Sequence, residues 1–532
     1  MIRNAACGLA ALIALVGCEG PKAPAELTAA APARVAVAPP PPPPPVFPVG
    51  VPVGPVLDYN LPPEPAVAYP AFEPNPVTAV AEAPVSTFSV DVDTASYSRA
   101  RASLERGVLP GAQAIRVEEM VNYFPYDYAP PAGLEQPFSV DVAVFPTPWN
   151  AGTQLMRIGL QGYEPPAANR PPLSLVFLLD TSGSMAAPDK MPLLKASFRL
   201  LLDQLGAQDT VGIVAYAGSA GVVLEPTPAT ERRTILAALD RLRAGGSTAG
   251  GAGLALAYDL AAEARREGSI GRVILATDGD FNVGPQTPDA LETLVEERRD
   301  EGVFLNVLGF GTSGSDDAVM QALAQNGNGQ AAFIDTLTEA RKVLVEQAGG
   351  ALIPIAKDVK VQVEFNPARI AEYRLIGYET RALNREDFND DKVDAGEIGA
   401  GLQVTALYEV TPVGSDAIRI DPLRYATVIP APASATDELA FVRLRWKRPD
   451  GDVSRLIERP VTDADVLASP DDEARFAAAV AGFGQLLQGG RYTGEFGYDA
   501  AADLARGAKG EDPYGYRAEA VRLMKLAGSL AE

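Results

Sequence analysis

The chain has no histidine and only two cysteines, Cys7 and Cys18. Without histidine there is no Ser-His-Asp or Cys-His catalysis, no imidazole general base and no His-held zinc or haem. Both cysteines lie in the first twenty residues, so the body of the chain can carry neither a disulfide framework nor a thiolate metal cluster. Positive charge is scarce as well: 45 Lys and Arg stand against 68 Asp and Glu, for a net charge of −23. That balance excludes a nucleic-acid partner, because no basic surface exists to displace counterions from phosphates. Any metal must be held by oxygen, which favours Mg²⁺, with Mn²⁺ and Ca²⁺ sharing the preference.

What is present is ordinary globular material, with 47% hydrophobic and 21% charged residues over 532 positions. That length suggests about three or four structural units. The start, MIRNAACGLAALIALVGCEG, has a positive Arg3 and an apolar run from Ala5 to Val16. The run is too short to span a bilayer and has the form of a secretory signal. Its end, Leu15-Val16-Gly17-Cys18, resembles a bacterial lipobox. The resemblance implies removal of residues 1–17, lipidation of Cys18 and a bacterial cell-envelope protein held at a membrane, with the outer membrane favoured. Residues 18–84 are rich in Pro and Ala and include seven consecutive prolines, Pro39 to Pro45. Such a stretch cannot bury a core and reads as an extended tether.

Folded sequence is expected from about residue 85. Residues 85–172 combine alternating strands with two short helices, Tyr97 to Gly107 and Val117 to Phe124. From Leu173 to about Gly350 short continuous apolar runs alternate with helical periodicity. This predicts an α/β, doubly wound, mostly parallel sheet covered on both faces. Thr230 stands where the cap of one of its helices is expected. Residues 351–462 alternate again, and residues 463–532 read as helical. The α/β part is therefore expected as an insertion between β-rich flanks that join into one sandwich-like unit.

Ligands of doubly wound folds bind beyond the carboxyl ends of the strands. There the first apolar strand ends in Asp180-Thr181-Ser182-Gly183-Ser184. Downstream, Gly245-Gly246-Ser247-Thr248 forms a Gly-rich loop, and a third strand ends in Thr277-Asp278-Gly279. D-x-S-x-S, a Thr loop and a T-D-G strand end together resemble the von Willebrand factor type A domain with its metal-ion-dependent adhesion site. The resemblance implies that Ser182, Ser184 and Thr248 bind the metal through hydroxyls, and that Asp180 and Asp278 act mainly through ordered waters or as alternating direct ligands. It extends to Ser89-Val90-Asp91-Val92-Asp93-Thr94-Ala95-Ser96-Tyr97, Val121-Asn122-Tyr123-Phe124-Pro125, Leu375-Ile376-Gly377-Tyr378-Glu379 and Ala406-Leu407-Tyr408-Glu409-Val410, which are similar to flanking regions of bacterial lipoproteins carrying this domain.

Mg²⁺ takes octahedral oxygen ligation and keeps several waters. Neutral hydroxyl ligands leave much of its charge unquenched, so the ion would accept a carboxylate from the Asp or Glu of a protein partner. The expected function is a lipid-anchored, non-enzymatic binding protein. Two other readings stand beside it: an envelope scaffold whose metal only stabilises loops, and a metal-dependent hydrolase using Asp180 or Asp278 as base. The capping of a helix beginning near Pro188 is a simpler use for Asp180, Ser182 and Ser184. A second acidic stretch, Asp387-Phe388-Asn389-Asp390-Asp391-Lys392-Val393-Asp394, resembles the start of a calcium loop. Lys392 at the Gly position and Ile398 at the closing Glu position argue for a solvated acidic turn instead.

Overall fold

The computed structural model describes residues 72–90, 93–247, 250–279, 288–311, 317–421, 423–424 and 437–532. The described chain opens with β1 (Thr78–Ala79), β2 (Val85–Ser89), α1 (Ala95–Glu105), α2 (Val117–Asn122), β3 (Phe138–Thr147) and β4 (Asn150–Gly162). The α/β part comprises β5 (Leu173–Asp180), α3 (Met191–Leu202), β6 (Thr210–Tyr216), β7 (Ala220–Pro228), α4 (Arg232–Arg241), α5 (Gly250–Ala264), β8 (Ile270–Thr277), α6 (Pro288–Asp300), β9 (Val303–Phe310), α7 (Asp317–Asn326) and β10 (Ala331–Ile334). It closes with α8 (Leu337–Arg341), a π-helical turn over Lys342–Glu346, and α9 (Ala348–Leu352). Next come β11 (Pro354–Phe365), β12 (Ile370–Ile376), β13 (Gly396–Gly399), β14 (Gln403–Pro412), β15 (Glu438–Lys447) and β16 (Ser454–Thr462), then α10 (Asp472–Leu487), α11 (Tyr498–Arg506) and α12 (Tyr516–Ala531).

The central sheet has the order β10-β9-β8-β5-β6-β7. All neighbours are parallel except β6 and β7, so the sheet ends in one antiparallel edge strand. Every residue of β5 is buried, as a strand covered on both faces requires. Its side chains divide by parity: Leu175, Phe177 and Leu179 join a core with Leu194 and Phe198 of α3, while Val176 and Leu178 join one with Leu254 of α5 and Leu291 of α6. The strand order reverses at β5, so its carboxyl end opens onto the crevice between two diverging connections.

The flanking strands interleave across the insertion. One sheet runs β1-β12-β14-β4-β3, and the other runs β13-β11-β15-β16 with β2 also on β11. Aromatic pairs join the two: Phe365 stacks on Tyr373 at 4.3 Å between ring centroids, and Phe138 meets the edge of Trp446 at 6.0 Å. Helices α1 and α2 pack with α10, α11 and α12 around a separate core that includes Tyr97, Phe124, Phe476, Phe483 and Met524. Gly107, with φ +79°, ends α1. Its N–H donates to the Leu104 carbonyl at 2.9 Å, and that of Val108 donates to the Ser103 carbonyl at 3.2 Å, the paired bonds of a Schellman stop.

Several boundaries differ from expectation. Asn75 donates to the Leu375 and Gly377 carbonyls, and Val80 is buried, so the folded body takes in residues that composition places in the tether. Glu231, not Thr230, precedes α4, without a side-chain cap. The C-terminal α-helices begin at Asp472 rather than near Asp463, and Asp471 caps α10 by accepting from the Ala474 N–H at 2.7 Å. Among the described residues no helix is long and apolar enough to cross a membrane.

Candidate functional site

Asp180 is the last residue of β5 and is fully buried. One of its carboxylate oxygens accepts the Ser182 N–H at 2.7 Å, and the other accepts the Thr277 hydroxyl at 3.3 Å. Asp278 follows β8 and is buried as well. Burial pushes the Asp180 carboxyl up from its ordinary range, and the negative charge of Asp278 nearby pushes it the same way. The buried Tyr216 phenol, at the end of β6, lies against the same carboxylate, and burial raises it well above the ordinary tyrosine value.

Above this floor the loop after β5 turns outward. Ser182 is buried and Ser184 is exposed, with their hydroxyl oxygens 2.9 Å apart. The Gly-rich loop is joined to it from both sides: the Gly245 N–H donates to the Thr181 carbonyl at 2.8 Å, and the Gly183 N–H donates to the Gly246 carbonyl at 3.1 Å. Gly246 has φ +92° and Gly279 has φ +96°, a region that favours glycine. The Gly279 N–H donates to the Thr277 hydroxyl at 3.2 Å and so fixes the turn beside Asp278.

Of the expected ligands, the structure brings Asp180, Ser182, Ser184 and Asp278 to one rim. Thr248 lies outside the described residues, two positions beyond the bonded Gly246, and Cys18 lies outside them too. None of the described four caps the next helix. That helix begins at Met191 rather than near Pro188, its N-cap is Lys190, and it has no side-chain cap. Lys190 is a member of the rim that sequence reasoning missed: its Nζ donates to the Asp278 carboxylate at 2.9 Å. No local signal marks it, since a lone lysine ahead of a helix reads like any solvated residue.

The donor chemistry fits a hard divalent cation. Two buried carboxylates lie near each other, two hydroxyls stand over them, and every candidate ligand atom is oxygen. Among the described residues no group of three or more His, Cys, Asp or Glu side chains could hold a metal ion, so the rim depends on its serine hydroxyls. The acidic stretch at 387–394 is built differently. The Lys360 ammonium donates to the carbonyls of Asp387 and Asp390 at 2.9 and 2.6 Å, and that of Lys447 donates to the Asp391 carbonyl at 2.7 Å. Lysine amines pin the carbonyls there, and Ile398 is a buried strand residue paired with Ala356.

A six-stranded sheet with one antiparallel edge, a D-x-S-x-S loop at its switch point and a T-D-G strand end beside it define a von Willebrand factor type A domain, and that family's model matches residues 174–347. A model described as von Willebrand factor matches residues 64–157, and one described as Uncharacterized protein YfbK, C-terminal, matches residues 350–530. The Escherichia coli protein YfbK is 45% identical over 471 residues, covering 87% of this chain and 81% of its own length. The chain belongs to the YfbK family. A Synechocystis protein, sll0103, is 32% identical over 173 residues, 32% of this chain and 40% of its own. The solved von Willebrand factor type A structure from Catenulispora acidiphila is 18% identical and covers 76% of this chain and 91% of its own, with a TM-score of 0.39.

Proposed function

We propose that this chain is a non-enzymatic binding protein of the bacterial cell envelope, lipid-anchored through Cys18 at the outer membrane. It captures an acidic group of a protein partner through a divalent cation, Mg²⁺ first, held at the rim of Asp180, Ser182, Ser184, Thr248 and Asp278. The observation that carries the reading is the meeting of two buried carboxylates beside a pair of hydroxyls at the carboxyl end of the sheet. Bound there, a cation offsets the mutual repulsion of the carboxylates and supplies Lewis acidity for an incoming carboxylate. Asp180 and Asp278 would hold its charge, while Ser182 and Ser184 would add neutral oxygens.

The loops are joined by backbone hydrogen bonds of their own, which favours the binding reading over a metal that serves only to hold loops together. Capture of envelope proteins by the immobilised chain in Mg²⁺, against capture in EDTA, tests the proposal. Capture should be lost in EDTA and in Asp180→Asn. Equal capture by the variant would overturn it. Replacing Cys18 with serine should release the chain from the membrane fraction.

A further inference from the structure

Lys190 stands where local rules disfavour it. It is the N-cap of α3, with φ −115° and ψ −98°, and its side chain caps nothing. A cation at a helix N-terminus opposes the macrodipole, at a cost of several tenths of a kcal/mol to about 1 kcal/mol. The fold nonetheless makes room for it. The aliphatic stem runs against Gly311, just past β9, where φ is +105°. A Cβ at that position would stand 3.0 Å from both Cγ and Cε of Lys190. The stem thus passes close over Gly311, and it delivers the ammonium to the Asp278 carboxylate at 2.9 Å. The Lys190 side chain is 14% exposed and that of Asp278 is 2% exposed. A residue set against local preference whose charge is nonetheless delivered to a buried carboxylate is of the kind expected at functional or strained sites.

We infer that Lys190 is the rim's built-in counter-cation. It neutralises Asp278 and leaves one carboxylate charge, that of Asp180, to be met by the metal. This rests on the metal-binding reading above and deepens it. Two free carboxylates would bind a divalent ion more tightly and quench its charge fully. With Lys190 in place the ion is held less tightly, and the rim keeps a positive surplus for the partner's carboxylate. Lys190 is therefore a positioning residue that trades metal affinity for affinity towards the acidic ligand, acting through Asp278.

The test uses the purified full chain and three variants: Lys190→Met, Lys190→Gln and Lys190→Arg. Mg²⁺ affinity is read by titration calorimetry. Acetate, as the carboxylate probe, is titrated against the Mn²⁺-loaded chain, and loss of metal-bound water is followed by proton relaxation. Lys190→Met should bind Mg²⁺ about tenfold tighter or more, because a full charge a few ångströms away is removed, and should bind acetate correspondingly more weakly. Lys190→Gln should shift both in the same directions, and it carries the test if the Met variant does not fold. Lys190→Arg should match the wild type. Variants that lose affinity for both probes, or change neither, would show a merely structural lysine and overturn the inference while leaving the metal reading intact. A wild-type chain that takes up no Mg²⁺ would overturn both.

Discussion

Two charged sites of this molecule are built on opposite plans. At the rim, the Lys190 ammonium donates to the buried Asp278 carboxylate, and the buried Asp180 carboxylate lies near it. At the junction of the α/β part with the helices, Arg101 of α1 is ringed by acceptors. Its Nε donates to Asp335 at 2.9 Å, and its terminal nitrogens reach Glu339 at 2.8 Å and Glu519 at 3.0 Å. The Tyr123 hydroxyl donates to Glu339 at 2.7 Å, and the Lys342 ammonium lies 3.8 Å from the centre of the Tyr123 ring. The junction is held by hydrogen bonds, cation–π contact and opposite charge, with Glu519 at its partly exposed edge. The contrast sets a guanidinium ringed by acceptors against two buried carboxylates gathered at strand ends.

The largest effect should come from breaking the closed site. Arg101→Met leaves Asp335 and Glu339 buried without their cation and should cost about 3–5 kcal/mol in denaturant unfolding. A loss under about 1 kcal/mol would mean that the junction is no more closed than the rim.

Next in size is a pH effect confined to the junction. Burial lowers the Lys342 ammonium to about 8 from the ordinary 10.5. The folded chain then releases this proton before the unfolded chain does, so the residue's charging penalty is fully present below pH 8 and fades as pH rises towards 10. Wild-type stability should gain about 2 kcal/mol over that window relative to Lys342→Met, measured as the difference between their unfolding free energies at each pH. Parallel pH profiles would refute it.

A smaller effect sharpens the boundary of the network. Glu519 is 26% exposed at its side chain, so Glu519→Gln should cost less than about 1 kcal/mol in the same unfolding assay. At the rim the sign itself should differ. Asp180→Asn removes a buried charge in an electrically unbalanced site, so its melting temperature in EDTA should equal or exceed that of the wild type.

The same contrast bears on what could be read in advance. The rim was legible because its parts are local: an apolar strand ending at Asp180, a Gly-rich loop, and a strand ending in Thr277-Asp278-Gly279. The α/β alternation was legible for the same reason. Lys190 was not, because an isolated lysine before a helix looks like any solvated residue until Gly311, more than a hundred positions away, is folded against it. The junction depends on Arg101 meeting Asp335 and Glu519, partners that no periodicity connects. Edge strand β16 was legible only as part of a β-rich stretch, because Arg455, Glu458 and Arg459 break up its apolar pattern. The acidic stretch at 387–394 was legible as a turn, but the lysines that hold its carbonyls come from two other strands.

Calorimetric titration of the purified chain with Mg²⁺ is the most direct test of the central claim that the rim is a metal centre. Uptake of about one ion per chain, abolished by Asp180→Asn at unchanged fold, is the expected result. No uptake by the wild-type chain, or equal uptake by the variant, would contradict it.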